Sequence, residues 1–130
     1  MVGLTLVRAP GRYAIARLGP GDDVPEWFAS ARGFASATRT PAELSLMCAE
    51  ASVPASVAPV ERGWVGWSVR GQLDFGMVGV MAELSTALAE AGVSLLATST
   101  YDTDWLFVRE PDRTRAEQAL VQAGFEVEAG

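Results

Sequence analysis

Hydrophobic and polar positions divide the chain into two halves of unequal clarity. In the second half, residues 64–70 alternate, so Val65, Trp67 and Val69 share the strand face expected to meet a core. After a Gly-bearing loop, Met77, Met81, Leu84, Leu88 and Ala91 recur at helical spacing, and Gly92 stands where a left-handed residue closes a helix. Residues 93–98 are apolar on both faces, which predicts a central strand covered by helices. Residues 105–109 form the returning strand. Asp112 is placed to cap a second helix whose inner face carries Ala116, Ala119, Leu120 and Ala123. Gly124 ends that helix, and residues 125–127 make a short last strand. Residues 88–95 and 120–127 echo each other as helix end, glycine cap and strand. The predicted order is β-α-β-β-α-β, the ferredoxin-like split motif of an α+β protein.

The first half is less regular. Residues 4–8 and 12–18 are apolar-rich runs around Pro10-Gly11, which predicts a hairpin or two linked strands. Pro25 opens a helix of about two turns that ends before Gly33. A strand is expected over residues 34–38, broken by Arg39-Thr40-Pro41, and another over residues 43–50. The latter places Leu44, Leu46 and Cys48 on one face and Glu43, Ser45 and Met47 on the other. Residues 51–61 contain Pro54 and Pro59 without a period and read as a connection. The expected organisation is two modules in one compact unit. Residues 1–62 form a degenerate module with its linker, and residues 63–130 form a complete one.

Composition narrows the function. Apolar residues make up 49% of the 130, enough for a packed core. The net charge of −6 argues against nucleic acid and anionic membrane surfaces, both of which need clustered Lys and Arg. No apolar run approaches a membrane span, and no basic region precedes a hydrophobic block at the start. Cys48 is the only cysteine, so no internal disulfide forms, and a cytoplasmic location fits. It lies on the apolar side of its strand and reads as a buried small hydrophobe. With no histidine, Ser-His and Cys-His pairs and most zinc sites are removed. The acids have no identifiable base or metal cluster beside them, so the chain reads as a non-enzyme without metal or cofactor.

Two places in residues 71–108 carry chemistry. The loop Asp74-Phe75-Gly76-Met77-Val78-Gly79 opens a helix. Its glycines admit close backbone approach, and the first N–H groups of the helix are unpaired donors at a positive dipole end, suited to a carboxylate. The turn Ser99-Thr100-Tyr101-Asp102-Thr103-Asp104 offers two carboxylates to an ammonium or cationic side chain, contacts worth roughly 1.5–3 kcal/mol each. Together they suit a free amino acid. The candidate ligand-binding residues are Phe75, Gly76, Met77, Val78, Gly79, Ser99, Thr100, Tyr101, Asp102 and Asp104. The competing reading is structural: the glycines permit a tight turn, and the Asp side chains bond the local backbone. Tyr101 is placed either over a ligand's aliphatic stem or at a dimer contact. Glu43, Ser45 and Met47 are read as packing rather than site residues. Trp64, Trp67 and Trp105 are read as core or interface, since no basic patch accompanies them.

Residues 39–46 (Arg39-Thr40-Pro41-Ala42-Glu43-Leu44-Ser45-Leu46), Glu61-Arg62-Gly63-Trp64, Gly71-Gln72-Leu73-Asp74-Phe75 and the turn 99–104 together carry a family resemblance. The second half resembles the ACT domain, a ferredoxin-like module that binds amino acids and similar effectors. The whole chain is similar to bacterial tandem-ACT proteins related to the cytosolic arginine sensor of animal growth control. The resemblance implies a homodimer of modules paired side by side, with a free amino acid or analogue at the seam. Such proteins usually carry a small hydroxyl residue where Gly76 stands and a Thr where Val78 stands. That difference motivates the alternative of a ligand-free assembly that docks a protein partner.

Overall fold

The computed structural model describes residues 4–70 and 79–128. These hold eight strands and three α-helices: β1 (Thr5–Arg8), β2 (Tyr13–Leu18), α1 (Glu26–Ala29), β3 (Ser36–Arg39), β4 (Leu44–Ala49), β5 (Val60–Arg70), α2 (Val80–Glu90), β6 (Leu95–Ser99), β7 (Asp104–Arg109), α3 (Arg113–Gln122) and β8 (Glu126–Glu128). They divide into two compact units, Gly11–Trp64 and Met1–Pro10 with Val65–Gly130.

The larger unit is an α+β fold of the ferredoxin-like type. Its sheet runs β6-β7-β5-β1-β8, with β5 contributing residues from Val65 onward. Antiparallel β1 meets β5 at Leu6↔Val69 and Arg8↔Trp67, and β8 runs parallel to β1 at Leu6↔Val127. Helices α2 and α3 supply Leu84, Leu88, Ala116 and Leu120 to a core closed by Leu6, Val65, Trp67, Val69, Leu106 and Val108. The alternation of residues 65–69 and the spacing of residues 84, 88, 116 and 120 produce these faces directly.

Both helices end by the same device. Gly92 at φ 72 and Gly124 at φ 99 adopt the left-handed conformation. The Val93 N–H then donates to the Leu88 carbonyl at 2.9 Å and the Phe125 N–H to the Leu120 carbonyl at 3.1 Å. These are matching Schellman closures, each with a buried apolar residue after the glycine.

The strand pairing departs from the sequence pattern at several points. The two runs around Pro10-Gly11 are separate strands, each pairing with its own part of β5, and not a hairpin. The split motif is opened: β8 pairs with β1, which stands between it and β5. Leu4 and Leu6 of that inserted segment are buried, which gives the pairing its apolar reward. Residues 93–98 are not a central strand, because among the described residues β6 pairs only with β7. Leu95 and Leu96 are half-buried and Ala97 is exposed. The covered position belongs to β5, where Val65, Gly66 and Trp67 are buried in succession.

Asp112 occupies the cap position of α3, but its side chain makes no capping bond. A 3-10 turn, Glu110–Asp112, runs straight into the helix, so Asp112 has a helical backbone, φ −92 and ψ −1, where a cap needs an extended one. Its carboxylate accepts from Arg115 instead, at 2.8 Å. Ala119 is half-buried and Ala123 exposed, so neither belongs to the inner face. They line a cleft of about 700 Å³ with Ala82, Ala87 and Ala91 of α2.

The smaller unit orders its strands β3-β4-β2-β5, all antiparallel. Ala14, Cys48 and Val53 are buried against Trp27, Phe28, Val57 and Val60. Met47 is buried as well, so β4 is covered on both faces. Helix α1 lasts one turn and not two; the Ser30 hydroxyl and N–H both donate to the Glu26 carbonyl and end it. The expected connection 51–61 is tied down: Val53 is buried, and β5 already begins at Val60.

Candidate functional site

The acidic turn is built by the β6–β7 ladder, which runs from Leu95↔Val108 to Ser99↔Asp104 and leaves residues 100–103 to close it. The Thr100 N–H donates to the Thr103 carbonyl at 2.7 Å, and the Thr103 N–H donates to Thr100 Oγ1 at 3.2 Å. Thr100 Oγ1 donates in return to the Thr103 carbonyl at 3.1 Å. The Thr100 hydroxyl therefore shapes the turn. The Ser99 hydroxyl donates to Asp104 Oδ1 at 2.6 Å, a short charge-assisted bond across the last rung of the ladder.

Asp104 keeps Oδ2 without a hydrogen-bond partner among the described residues. Asp102 is fully offered: its carboxylate is exposed and accepts no hydrogen bond there. Tyr101 stands 85% exposed at the tip, where a ring gains nothing from the core. Of the polar turn residues, Asp102 is thus the open acid, and Asp104 is the one oriented by a neighbour.

Thr103, absent from the candidate set, adds a direct tie between the turn and β5, which already pairs with β7. Its hydroxyl donates to the Val69 carbonyl at 2.5 Å. That bond ties the turn to the end of β5, two residues before position 71. A hydroxyl among six polar turn residues carries no periodic signal, so sequence reasoning had no means to single it out.

Phe75, Gly76, Met77 and Val78 lie outside the described residues. Gly79, at the far side of that stretch, is the N-cap of α2 with φ 91 and ψ 0. A Cβ there would meet nothing within 4 Å, so the glycine is needed for its backbone angle and not for space. Gly79 provides no side-chain cap, so the first donors of α2 receive none from it. The described residues bring the acidic turn to the point where the glycine-bearing stretch leaves β5, and Gly79 returns that stretch to α2.

Arg70, the last residue of β5, is engaged elsewhere. Its guanidinium donates to both Glu128 oxygens at 2.6 Å. That hydrogen bond holds the Glu128 carboxyl below the usual carboxylate range.

The other motifs serve the smaller unit's architecture. Arg39 donates to the Pro20 carbonyl and, at 2.9 Å, to the Asp22 carbonyl, pinning the loop 19–23. The Thr40 hydroxyl accepts from the Ala42 and Glu43 N–H groups at 3.1 Å. Arg62 reaches the carbonyls of Glu50, Val53 and Pro54. The Gly63 N–H donates to Glu50 Oε1 at 2.7 Å. Cys48 is fully buried, and burial pushes its thiol pKa up, as a packed small hydrophobe requires. Trp67 is also fully buried, and Trp105 stacks on Phe107 with ring centroids 6.3 Å apart. Among the described residues no group of His, Cys, Asp and Glu could hold a metal ion. No described helix is long and apolar enough to cross a membrane.

The ACT domain family matches residues 60–122, and a separate family of N-terminal domains matches residues 11–56. Comparison with curated proteins finds no match. Among solved structures, protein Atu0741 of Agobacterium tumefaciens is 31% identical with a TM-score of 0.91, covering 98% of this chain and 93% of its own. Protein VC0802 of Vibrio cholerae, described as of unknown function and a possible transport protein, is 23% identical with a TM-score of 0.71, covering 92% and 89%. The ligand-free regulatory subunit of aspartate kinase from Thermus thermophilus shares the fold at 14% identity and a TM-score of 0.64, covering 95% and 98%. The chain therefore belongs to the family of the Agobacterium protein Atu0741, and its residues 60–122 match the ACT domain family.

Proposed function

We propose that the protein is a non-enzymatic sensor that binds a free amino acid or close analogue beside the acidic turn. The observation that carries this reading is the Thr103–Val69 bond, which with the β7–β5 pairing ties the turn bearing Asp102 and Asp104 to the last residues of β5 before the stretch 71–78. Asp102 and Asp104 Oδ2 meet the ligand's ammonium or cationic side chain. The helix-opening residues 75–79 receive its carboxylate, with Ser99, Thr100 and Tyr101 bordering the site. ACT domains are regulatory modules, and the likeness to an aspartate kinase regulatory subunit supports a regulatory role. On this reading the chain is a cytoplasmic homodimer of two tandem ACT modules, residues 1–62 and 63–130, akin to the arginine sensors. Occupancy alters dimer geometry or partner binding by favouring one of two states.

Isothermal titration calorimetry with each free amino acid tests the site. One or two should give saturable heat, and Asp102→Asn and Asp104→Asn should each weaken that binding by about tenfold or more, as expected for a lost bond to a charged group. Binding untouched by both substitutions would remove the turn from the site. A second reading, a ligand-free docking protein, is favoured by one observation: the Ser99 hydroxyl already occupies Asp104 Oδ1. It expects no heat with any amino acid and retrieval of a protein partner.

A further inference from the structure

A second cluster of charge lies away from the acidic turn. Arg8 ends β1 opposite Trp67, and Arg113 opens α3. Both line one open cleft of about 820 Å³, together with Thr114, Glu117, Gln118 and Gln122. In a chain of net charge −6, two guanidinium groups facing one cleft need an explanation.

Neither is explained by its partners. Arg8 Nε is buried and has no hydrogen-bond partner among the described residues. Its Cζ lies 6.0 Å from the Trp67 ring centroid, a contact that orients the guanidinium without satisfying its donors. Among the described residues Arg113 makes one loose bond, Nε to Glu117 Oε1 at 3.4 Å, which leaves its terminal N–H groups without a partner there. Arg113 also sits in the first turn of α3, which holds no acidic residue and where the helix dipole disfavours a cation. Glu110 and Glu117 offset part of this charge, yet burial first and Arg113 second still lower the Arg8 pKa. The cation at Arg8 is therefore incompletely compensated. Gln118, Gln122 and the Thr114 hydroxyl add neutral donors on one side of α3.

We propose that this cleft binds the carboxylate or phosphate group of a small metabolite, held by Arg8 and Arg113. The guanidinium fork matches either oxyanion in a two-point contact, and in an open cleft that contact falls to the terminal N–H groups of Arg8 and Arg113. An anion at the start of α3 also meets the positive end of the helix dipole. The site is separate from the acidic turn, whose charge suits a cation.

The test is an NMR titration of the full chain with inorganic phosphate and, separately, with succinate, at ionic strength held constant with sodium chloride. The side-chain Nε–Hε signals of Arg8 and Arg113 should move saturably with at least one of the two. The anion that saturates identifies the class of ligand. Arg113→Gln, at an exposed position, should weaken binding by about tenfold or more, whereas Arg115→Gln, with the same charge change outside the cleft, should leave it unaltered. Arg8→Gln should abolish it where the variant folds. Shifts that rise linearly with both anions, or equal weakening by Arg113→Gln and Arg115→Gln, would overturn the proposal in favour of general screening.

Discussion

At the scale of single residues, Gly66 shows how one missing methyl group sets the packing. A Cβ at Gly66 would lie 2.3 and 2.4 Å from two ring carbons of Phe107, closer than any real contact. Phe107 is fully buried and stacks on Trp105, so it cannot yield cheaply. Gly66→Ala should therefore cost about 1–3 kcal/mol, read as a lowered urea midpoint. Cys48 and Tyr13 make a prediction about pH. Burial raises the pKa of each, from ordinary values of 9.0 and 10.0. Above those values the unfolded chain releases protons that the native chain retains, so stability falls as pH rises from about 9. Below them both groups are protonated in both states and contribute no slope. Denaturant unfolding between pH 8 and pH 11 checks this, and Cys48→Ala should flatten the first part of the decline. The burial of Cys48 was legible in the alternation of residues 44–48. The role of Gly66 was not, because the ring that needs the space comes from a strand 41 positions along the chain.

At the scale of elements, the helix ends were the most legible feature, because a glycine cap is a local signal. The closures at Gly92 and Gly124 use the same bonds and the same buried following residue. Each glycine replaced by alanine should cost about 1–2 kcal/mol through backbone strain, and similarly at both sites, by thermal or urea unfolding. Asp112 makes the opposite point. The sequence rule identified its position, but the preceding 3-10 turn removes the geometry that a side-chain cap needs. Asp112→Ala should then lose only the partly exposed Arg115 pair, less than about 1 kcal/mol, measured against the stability of the parent chain. Strand order was the least legible feature. Residues 93–98 look fit for a central strand, yet β6 has one partner among the described residues, while the modest run of residues 5–8 enters between β5 and β8. Apolar content reports burial appetite, whereas position in a sheet depends on which distant edge is available. The same limit hid Thr103, whose partner is the Val69 carbonyl on another strand.

At the scale of the whole molecule, an ACT sheet and two helices bring an acidic turn to the end of the strand from which the glycine-bearing stretch departs. The chemistry of that turn was legible in residue types. Its position beside β5 was not, since it depends on β7 pairing with β5 and on the Thr103 hydroxyl reaching a backbone carbonyl. The central question about the molecule is whether this arrangement binds a free amino acid. The decisive measurement is thermal unfolding of the full chain against each free amino acid at millimolar concentration. A ligand at about a hundred times its dissociation constant adds roughly 2.7 kcal/mol, a shift of several degrees for a protein of this size. One or two amino acids should give such a shift, and Asp102→Asn and Asp104→Asn should reduce it. A folded protein whose unfolding temperature stays the same with every amino acid would contradict amino-acid binding.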